Sequence, residues 1–366
     1  MTAGSLTAAL AVLFAGVWIC VAPALTRPTL QFGVRVPPQL TGAAVIRRER
    51  RAYYWRATAV VVCCTAAALA LAGSGSPRLT VVVLPAELAA GLGCFWVARE
   101  RITAVKNAEG WFAGLRQAVA ADTSWRTEPL RFPVAWLMPP VAVLVATAVI
   151  GAARYPDLPS RLAVGFAASG APDRWVRKSA WGAFSKVAGQ LWVTSLWTGL
   201  LLIVYRSRPD TDASEGADST RRYRRFLATY SRALLVLVTL VNVSLLLAAL
   251  RAWRVYRLSG IGAALPVLPA AAGLLVLVAV AVRTGQAGSR LPGPADRRSP
   301  VVNRDDDRFW KGGLIYINRD DPAIMVGTRF GAGWTPNLGN PKGCLLYGGI
   351  LVAIIALAVV RAVVGT

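Results

Sequence analysis

Apolar residues in this chain are gathered into long continuous blocks, while charged and turn-forming residues lie mainly between the blocks. Most blocks approach the roughly 20 residues that an α-helix needs to cross a bilayer. They are continuously apolar rather than alternating, which favours helices over barrel strands. The pattern predicts an all-α integral membrane protein with eight transmembrane helices, at about residues 4–26, 57–73, 79–98, 132–152, 187–205, 230–250, 261–282 and 344–361.

Composition supports a membrane protein. Hydrophobic residues make up 55% of the 366 residues and the mean hydropathy is +0.49, which is too apolar for an ordinary soluble protein. The first block ends near Ala22-Pro23-Ala24, which resembles a signal-peptide cleavage site. Because no Lys or Arg precedes this block and Arg27 follows it, we expect a retained first helix rather than a signal peptide.

The basic residues predict an orientation. Of the 41 Lys and Arg residues, 29 lie in the alternate loops 27–56, 99–131, 206–229 and 283–343. The positive-inside rule places these loops in the cytoplasm, and therefore both termini outside a plasma membrane. The net charge of +23 is then mainly a topology signal, and no nucleic-acid partner is expected.

Residues suited to catalysis or metal binding are scarce. The chain has no His, and its five Cys lie in or at the edge of predicted helices. A zinc site or a Cys-His nucleophile is therefore excluded, and no phosphate-binding P-loop is present. We expect a protein that is not an enzyme and has no cofactor. The partner that the sequence demands is the lipid bilayer.

The loops predict local structure. Residues 27–56 contain a turn and a basic run that leads through Tyr53, Tyr54 and Trp55, which is typical of an interfacial belt. Loop 99–131 has apolar residues at helical spacing, from Ile102 to Val119, which predicts an amphipathic helix that packs on its surroundings. Loop 206–229 has an acidic centre between basic ends and is expected to be a flexible linker.

The last polar segment predicts a small sheet. A Pro- and Gly-rich linker at 283–304 precedes alternating apolar residues, in which 314–317 is expected to pair with 324–329. A sheet of this size is marginal alone, so it should rest on the membrane surface or on neighbouring loops. The aspartates lack the spacing of a calcium loop, so turn formation and pairing with adjacent arginines is expected instead of a metal site. They are Asp305, Asp306, Asp307, Asp320 and Asp321, beside Arg304, Arg308 and Arg319.

Residues 155–179 resemble a bacterial membrane family, the domain of unknown function 1648. A Leu-Pro turn is followed there by a G-x-P-D-x-W segment and a basic end. The resemblance implies a relation to Sdp-type immunity proteins, multipass proteins that protect a cell from a secreted toxin and relay its presence to a cytoplasmic repressor. Relatives often have a His where this chain has Gly165. The match is carried by Tyr155, Pro156, Leu158, Pro159, Gly170, Pro172, Asp173, Trp175, Lys178 and Ser179.

A second resemblance covers residues 310–341, which are similar over a gap-free stretch to an uncharacterised domain, family 5808. The two resemblances and the helix pattern divide the chain. The predicted units are a four-helix N-terminal half at 1–152, an external loop at 153–186, three helices at 187–282, the linker 283–304, the module 305–343 and the last helix at 344–366.

Sensing or toxin immunity is the first functional hypothesis. The external loop combines Tyr155, Asp173 and Trp175, which are suited to binding an extracellular peptide, and the cytoplasmic loops could dock a protein partner. The alternative for this loop is a structural cap, in which Pro172-Asp173 starts a short helix and Trp175 anchors at the interface.

Transport of a proton or a small solute is the second hypothesis. It needs polar groups at bilayer depth, and the candidates are Glu87 and Asn242. A structural alternative is that Glu87 hydrogen-bonds a neighbouring helix.

The predicted orientation can be tested by cysteine labelling. Single cysteines at Ser169 and Ser299, in a cysteine-free background, are expected to differ in intact cells. An impermeant thiol reagent should label position 169, in the external loop, and spare position 299, in the cytoplasm. The opposite labelling pattern would contradict the orientation.

Overall fold

The computed structural model describes residues 3–73, 77–118, 128, 130–166, 171–215, 217–256, 265–292 and 301–364. Six helices in these residues are long and apolar enough to cross a membrane, by length and composition. The described apolar parts of two further helices are shorter, Ala11–Leu25 and Pro341–Ala353. The helices are α1 Ala3–Leu25, α2 Ala44–Gly73, α3 Pro77–Ala108, α4 Met138–Arg154, α5 Ala180–Arg206, α6 Ala217–Ala252, α7 Leu268–Thr284 and α8 Pro341–Val364.

Short strands form two-stranded sheets between the helices. Four pairs are antiparallel, namely β1 with β2, β4 with β5, β7 with β8 and β9 with β10, whereas β3 and β6 pair in parallel. The strands are β1 Leu30–Gln31, β2 Val34–Arg35, β3 Arg116–Ala118, β4 Arg161–Phe166, β5 Pro172–Arg177, β6 Val301–Asn303, β7 Trp310–Lys311, β8 Ile315–Tyr316, β9 Met325–Gly327 and β10 Trp334–Pro336.

The helices pack in two groups, α1 to α3 and α4 to α7. Glycines allow the close approaches. A Cβ at Gly91 of α3 would lie 2.6 Å from the Ile19 side chain of α1, and one at Gly273 of α7 would lie 3.1 Å from the Leu237 Cα of α6. Because α4 packs on α5 and α6, the packing divides the chain after α3, whereas the sequence-based division fell at residue 152.

The connections lie at two ends of the helix groups. The hairpin end carries the β4–β5 hairpin between α4 and α5. The module end carries residues 27–43, 109–118, 207–215 and 285–292 together with the module 305–343. Helix α8 begins in the module and packs chiefly against β10. Its described apolar side chains are largely exposed, as Leu345 shows with 76% exposure.

Loop 206–229 is not a flexible linker, so that prediction was wrong. Helix α6 already begins at Ala217, and Asp212, Ser214 and Ser219 are buried before and within its first turn. The Ser219 hydroxyl accepts a hydrogen bond from the Asp212 backbone N–H at 2.6 Å, and the Asp212 carboxylate accepts one from the Ser214 N–H at 3.0 Å. Short polar side chains thus order a segment whose composition is typical of disorder.

The other two loops differ from their predictions in part. In loop 99–131 the predicted amphipathic helix extends only to Ala108, the end of α3, and the chain then turns towards β3. Ile102 and Trp111 are buried in one apolar cluster. Tyr53 is not an interfacial side chain, because it is fully buried and its hydroxyl donates to the Ile19 carbonyl at 2.8 Å. Trp55 is 71% exposed.

The predicted pairing of 314–317 with 324–329 was also wrong. Strand β8 pairs with β7, and β9 pairs with β10. The backbone N–H groups of Asn337 and Leu338 donate to the carbonyls of Ile324 and Tyr316, at 2.9 Å each, so this segment bonds to both of the expected strands. The buried Asn337 side chain holds the turn between them, because its amide donates to the carbonyls of Asn318 and Asp321 and its oxygen accepts from the Asn318 N–H.

Candidate functional site

The β4–β5 hairpin has two different faces. Leu162 lies opposite Val176, and both pack into an apolar cluster with Leu158, Ala183 and Trp253. Neighbouring residues along each strand point the other way, so Arg161, Arg177 and Trp175 form the outward face, whereas Ala163, opposite Trp175, is buried. The apolar face fixes the hairpin on α5 and α6, and the other face is left outward.

The structure separates the three predicted loop residues. The Tyr155 ring stacks on Phe184 with centroids 5.9 Å apart and lies below the Lys178 ammonium, so it braces the hairpin from the core side. Trp175 lies on the outward face and is 44% exposed. The side chain of Asp173 lies outside the described part of the chain.

The expected helix at Pro172-Asp173 is absent, because both residues begin strand β5. Helix α5 instead begins at Ala180, where the Ser179 hydroxyl accepts a hydrogen bond from the Gly182 N–H at 3.0 Å. The sequence analysis missed Arg161, Arg177 and Arg254 as members of this surface. The Arg254 guanidinium lies 5.9 Å from the Trp175 ring centroid. Basic residues in the flanks of the G-x-P-D-x-W segment were the available signal.

Asn242 belongs to a buried polar network in the second helix group. Its amide donates to the Pro140 carbonyl at 3.0 Å and to the Thr194 hydroxyl at 2.9 Å. The Gln190 amide donates to the Thr147 hydroxyl at 2.9 Å and to the Asn242 carbonyl at 2.8 Å. These contacts join α4, α5 and α6, and Gln190 is a member that the sequence analysis missed.

Glu87 lies in the other helix group and is not near Asn242. Its side chain is fully buried, and neither carboxyl oxygen has a hydrogen-bond partner among the described residues. It faces α1, since a Cβ at Gly16 would lie 2.7 Å from Oε1. The two candidates for an intramembrane polar site are therefore separate. Asn242 is paired through its amide nitrogen but not through Oδ1, and Glu87 has no hydrogen-bond partner among the described residues.

The module end is built around the fully buried guanidinium of Arg329. It forms ion pairs with Asp306 and Asp307, and its Nη1 donates to the Gly33 carbonyl at 2.8 Å. Arg35 Nε lies 2.7 Å from the Asp306 carboxylate, and Lys106 Nζ lies 2.6 Å from that of Asp307. We call these five side chains, from Arg35, Lys106, Asp306, Asp307 and Arg329, the charge cluster.

The partners of the aspartates differ from those expected. The adjacent Arg304 and Arg308 do not pair with them; the cations come from β2, from α3 and from Arg329, two residues after β9. Two glycine turns allow this convergence. A Cβ at Gly33, which has a φ of +75°, would lie 2.6 Å from the Gly313 carbonyl oxygen, so the turns meet only without side chains.

The charge cluster lowers the pKa of its carboxylates. Burial alone would raise the pKa of Asp306, but the charges of Arg35 and Arg329 outweigh burial and lower it to about 2. The same balance, with Arg329 and Lys106, lowers the pKa of Asp307. Both groups are therefore ionised at neutral pH and hold the cations.

The Asn318–Pro322 turn forms a second polar centre. Burial raises the pKa of Tyr316 to about 12, so its phenol stays protonated and donates to Asp321 at 2.9 Å. The turn and the charge cluster border a cleft of about 410 Å³, whose lining includes Arg208, Arg304, Arg308, Phe309, Trp310 and Asp320. Its size suits a small ligand, but its charges are of both signs.

The module is also attached to the helix ends. Gln286, just after α7, accepts a hydrogen bond from the Gly333 N–H at 2.8 Å and donates to the Gly333 carbonyl at 3.0 Å. The Trp334 indole donates to the Tyr223 hydroxyl of α6 at 3.2 Å. The module therefore rests on neighbouring loops and on α6 and α7.

Comparison with known proteins finds one family model that matches part of the chain. Residues 142–188 match the family described as a domain of unknown function, DUF1648. The matched segment comprises most of α4, the β4–β5 hairpin and the first turns of α5. This supports the resemblance noted for residues 155–179, and the comparisons do not show the resemblance of residues 310–341 to family 5808. No curated protein and no solved structure matches the chain.

Replacement of Arg329 by Gln is expected to destabilise the protein strongly. The change leaves two buried carboxylates with fewer cations, which costs about 3 kcal/mol in typical buried pairs. The midpoint of thermal unfolding in detergent should fall accordingly. Arg319→Gln is the matched control, because Arg319 is exposed in the same module and the change removes the same charge.

Acid should weaken the charge cluster in a defined range. The pKa of Asp306 is lower in the folded protein than its ordinary value of 3.8, so its contribution is present above pH about 4 and is lost as pH falls towards 2. Asp306→Asn should therefore be less stable at pH 7 and lose less stability on acidification. An equal loss in both proteins would contradict the role of Asp306.

Proposed function

We propose that this is a non-enzymatic multipass protein of the plasma membrane with a sensing or toxin-immunity role. The outward face of the β4–β5 hairpin receives an extracellular peptide, and the module end docks a cytoplasmic protein. The observation that carries the proposal is Trp175, a large aromatic side chain that is exposed on a hairpin whose other face is sealed by the bundle. Exposed aromatic anchors on a rigid support are where binding energy concentrates.

The proposed topology has eight spans, with both termini and the hairpin outside. The six long apolar helices support membrane insertion, and helices α1 and α8 lie where the remaining two spans are expected. The positive-inside rule supports placing the module end, with its many basic residues, in the cytoplasm.

Helix α6 offers a route between the two surfaces. Its hairpin-end residue Trp253, just after the helix, donates to the Ala183 carbonyl at 3.1 Å, within the cluster that seals the hairpin. Near its other end, Tyr223 and Tyr230 contact Trp334 of the module. A shift of α6 on ligand binding would thus reach the module directly, which is what a sensor needs.

A transport function is the second candidate, and Glu87 is the observation that favours it. A buried carboxyl without a described partner costs roughly 3 kcal/mol at membrane depth, so its retention is unexplained by packing. In this function Glu87 would take up and release a proton between α1, α2 and α3.

The hairpin proposal predicts a conditional loss of function. Trp175→Ala should abolish the survival of a cell exposed to toxins secreted by its neighbours, while the amount of protein in the membrane stays normal. Trp181→Ala is the control, because Trp181 is similarly exposed, at 45%, but lies on α5 rather than on the hairpin. Normal survival of the Trp175 variant would count against the hairpin as the recognition surface.

Tyr155 should behave differently. Because its ring is packed between Phe184 and Lys178, Tyr155→Ala is expected to lower protein abundance together with survival. This outcome separates bracing from recognition within the same loop.

The transport candidate predicts opposite stability effects for two buried polar residues. Glu87→Leu should raise the midpoint of thermal unfolding, or leave it unchanged, since it removes an unpaired carboxyl. Asn242→Leu, as the control, should lower the midpoint because it leaves Thr194 and the Pro140 carbonyl unpaired. Proton flux into liposomes should be lost in Glu87→Gln. Destabilisation by Glu87→Leu, with no flux in the unaltered protein, would show that the residue is structural.

A further inference from the structure

The outward face of the β4–β5 hairpin contains an unfavourable pair. Arg161 and Arg177 lie directly opposite each other in the register of the two strands, and both side chains are exposed. Side chains so placed have Cβ atoms about 5 Å apart, and like charges there are destabilising. Neither guanidinium forms an ion pair with a carboxylate among the described residues. Packing of the apolar face thus stabilises the hairpin, whereas repulsion between Arg161 and Arg177 on the outward face destabilises it.

Further positive charge surrounds this pair. Three more arginines, Arg154, Arg174 and Arg254, are exposed at the same end. Among the described side chains there, Asp157 is the one that carries a negative charge. A cluster of this sign is unexpected on the proposed outer surface, because translocated loops are usually poor in Lys and Arg. Topology therefore does not explain it, whereas an anionic binding partner would.

The depth of the hairpin indicates which anion it meets. Strand β4 begins seven residues after α4 ends at Arg154, and strand β5 ends three residues before α5 begins at Ala180. Trp181, in the first turn of α5, is 45% exposed and Trp175 is 44% exposed. Exposed Trp at the ends of apolar helices lies at the level of the lipid headgroups. This depth would place the two guanidinium groups near lipid phosphates.

We propose that Arg161 and Arg177 bind the phosphate-bearing headgroup of an anionic phospholipid. A guanidinium group presents paired N–H donors that match phosphate oxygens, and one phosphate between the two arginines replaces their repulsion by two attractions. This site goes beyond the sensing role and does not require it.

The experiment measures the protection of individual arginines. Full-length protein is placed in nanodiscs of phosphatidylcholine, with or without phosphatidylglycerol, and treated with phenylglyoxal before peptide mass spectrometry. Phosphatidylglycerol should reduce the modification of Arg161 and Arg177 at least fivefold and leave Arg319, in the module, unchanged. Equal modification in the two lipids would overturn the proposal. So would protection by dissolved inorganic phosphate in nanodiscs that lack phosphatidylglycerol.

A charge reversal gives an independent measurement. Arg177→Glu should raise the midpoint of thermal unfolding in phosphatidylcholine, because it replaces repulsion with an ion pair, and should remove most of the further rise caused by phosphatidylglycerol. Arg319→Glu, the same charge change at an exposed site of the module, should retain that rise. A phosphatidylglycerol effect that is equal in the two variants would overturn the site. Survival against toxin is scored separately with Trp175→Ala, so failure of either proposal leaves the other testable.

Discussion

The burial of the Arg329 guanidinium is the constraint on which the module end depends. Two carboxylates, the Gly33 carbonyl and the ring of Trp310, 4.8 Å from the guanidinium carbon, surround the charge. A buried ion is costly unless all its partners are in place, so the β1–β2 turn, the end of α3 and the module must assemble together. The charge cluster therefore explains how a segment with only two-residue and three-residue strands acquires a defined structure.

The two helix groups differ in how they treat buried polar groups. The group of α4 to α7 contains Asn242 and Gln190 in a network that joins three helices, which stabilises their packing. The group of α1 to α3 contains Glu87 without a described partner. The amide nitrogens of Asn242 and Gln190 are paired while their side-chain oxygens are not, whereas both oxygens of Glu87 lack a described partner, and Glu87 is left for a functional explanation.

The hairpin end and the module end are connected through α6, which is 36 residues long. One end of α6 packs against the apolar cluster under the β4–β5 hairpin. Near its other end, the Phe226 ring packs against Trp334 of the module. A lipid headgroup on the outward face and a peptide at Trp175 would act on the same hairpin. Lipid binding at Arg161 and Arg177 would then hold the hairpin in position for a ligand that arrives along the membrane surface.

The sequence by itself determined the helices and their places, because a span needs about 20 apolar residues and a helix alone satisfies its backbone in lipid. It also indicated the resemblance of residues 155–179 to DUF1648, whose family model matches residues 142–188. Only the tertiary structure decided the partners. Lys106 meets Asp307 across 201 positions and Arg35 meets Asp306 across 271. The backbone of Asn337 and Leu338 bonds to both segments that were expected to pair with each other. Local sequence patterns indicate whether a residue prefers water or an apolar environment. A charge or an amide, however, can pair with any complementary group that packing brings near it, and packing depends on the whole chain.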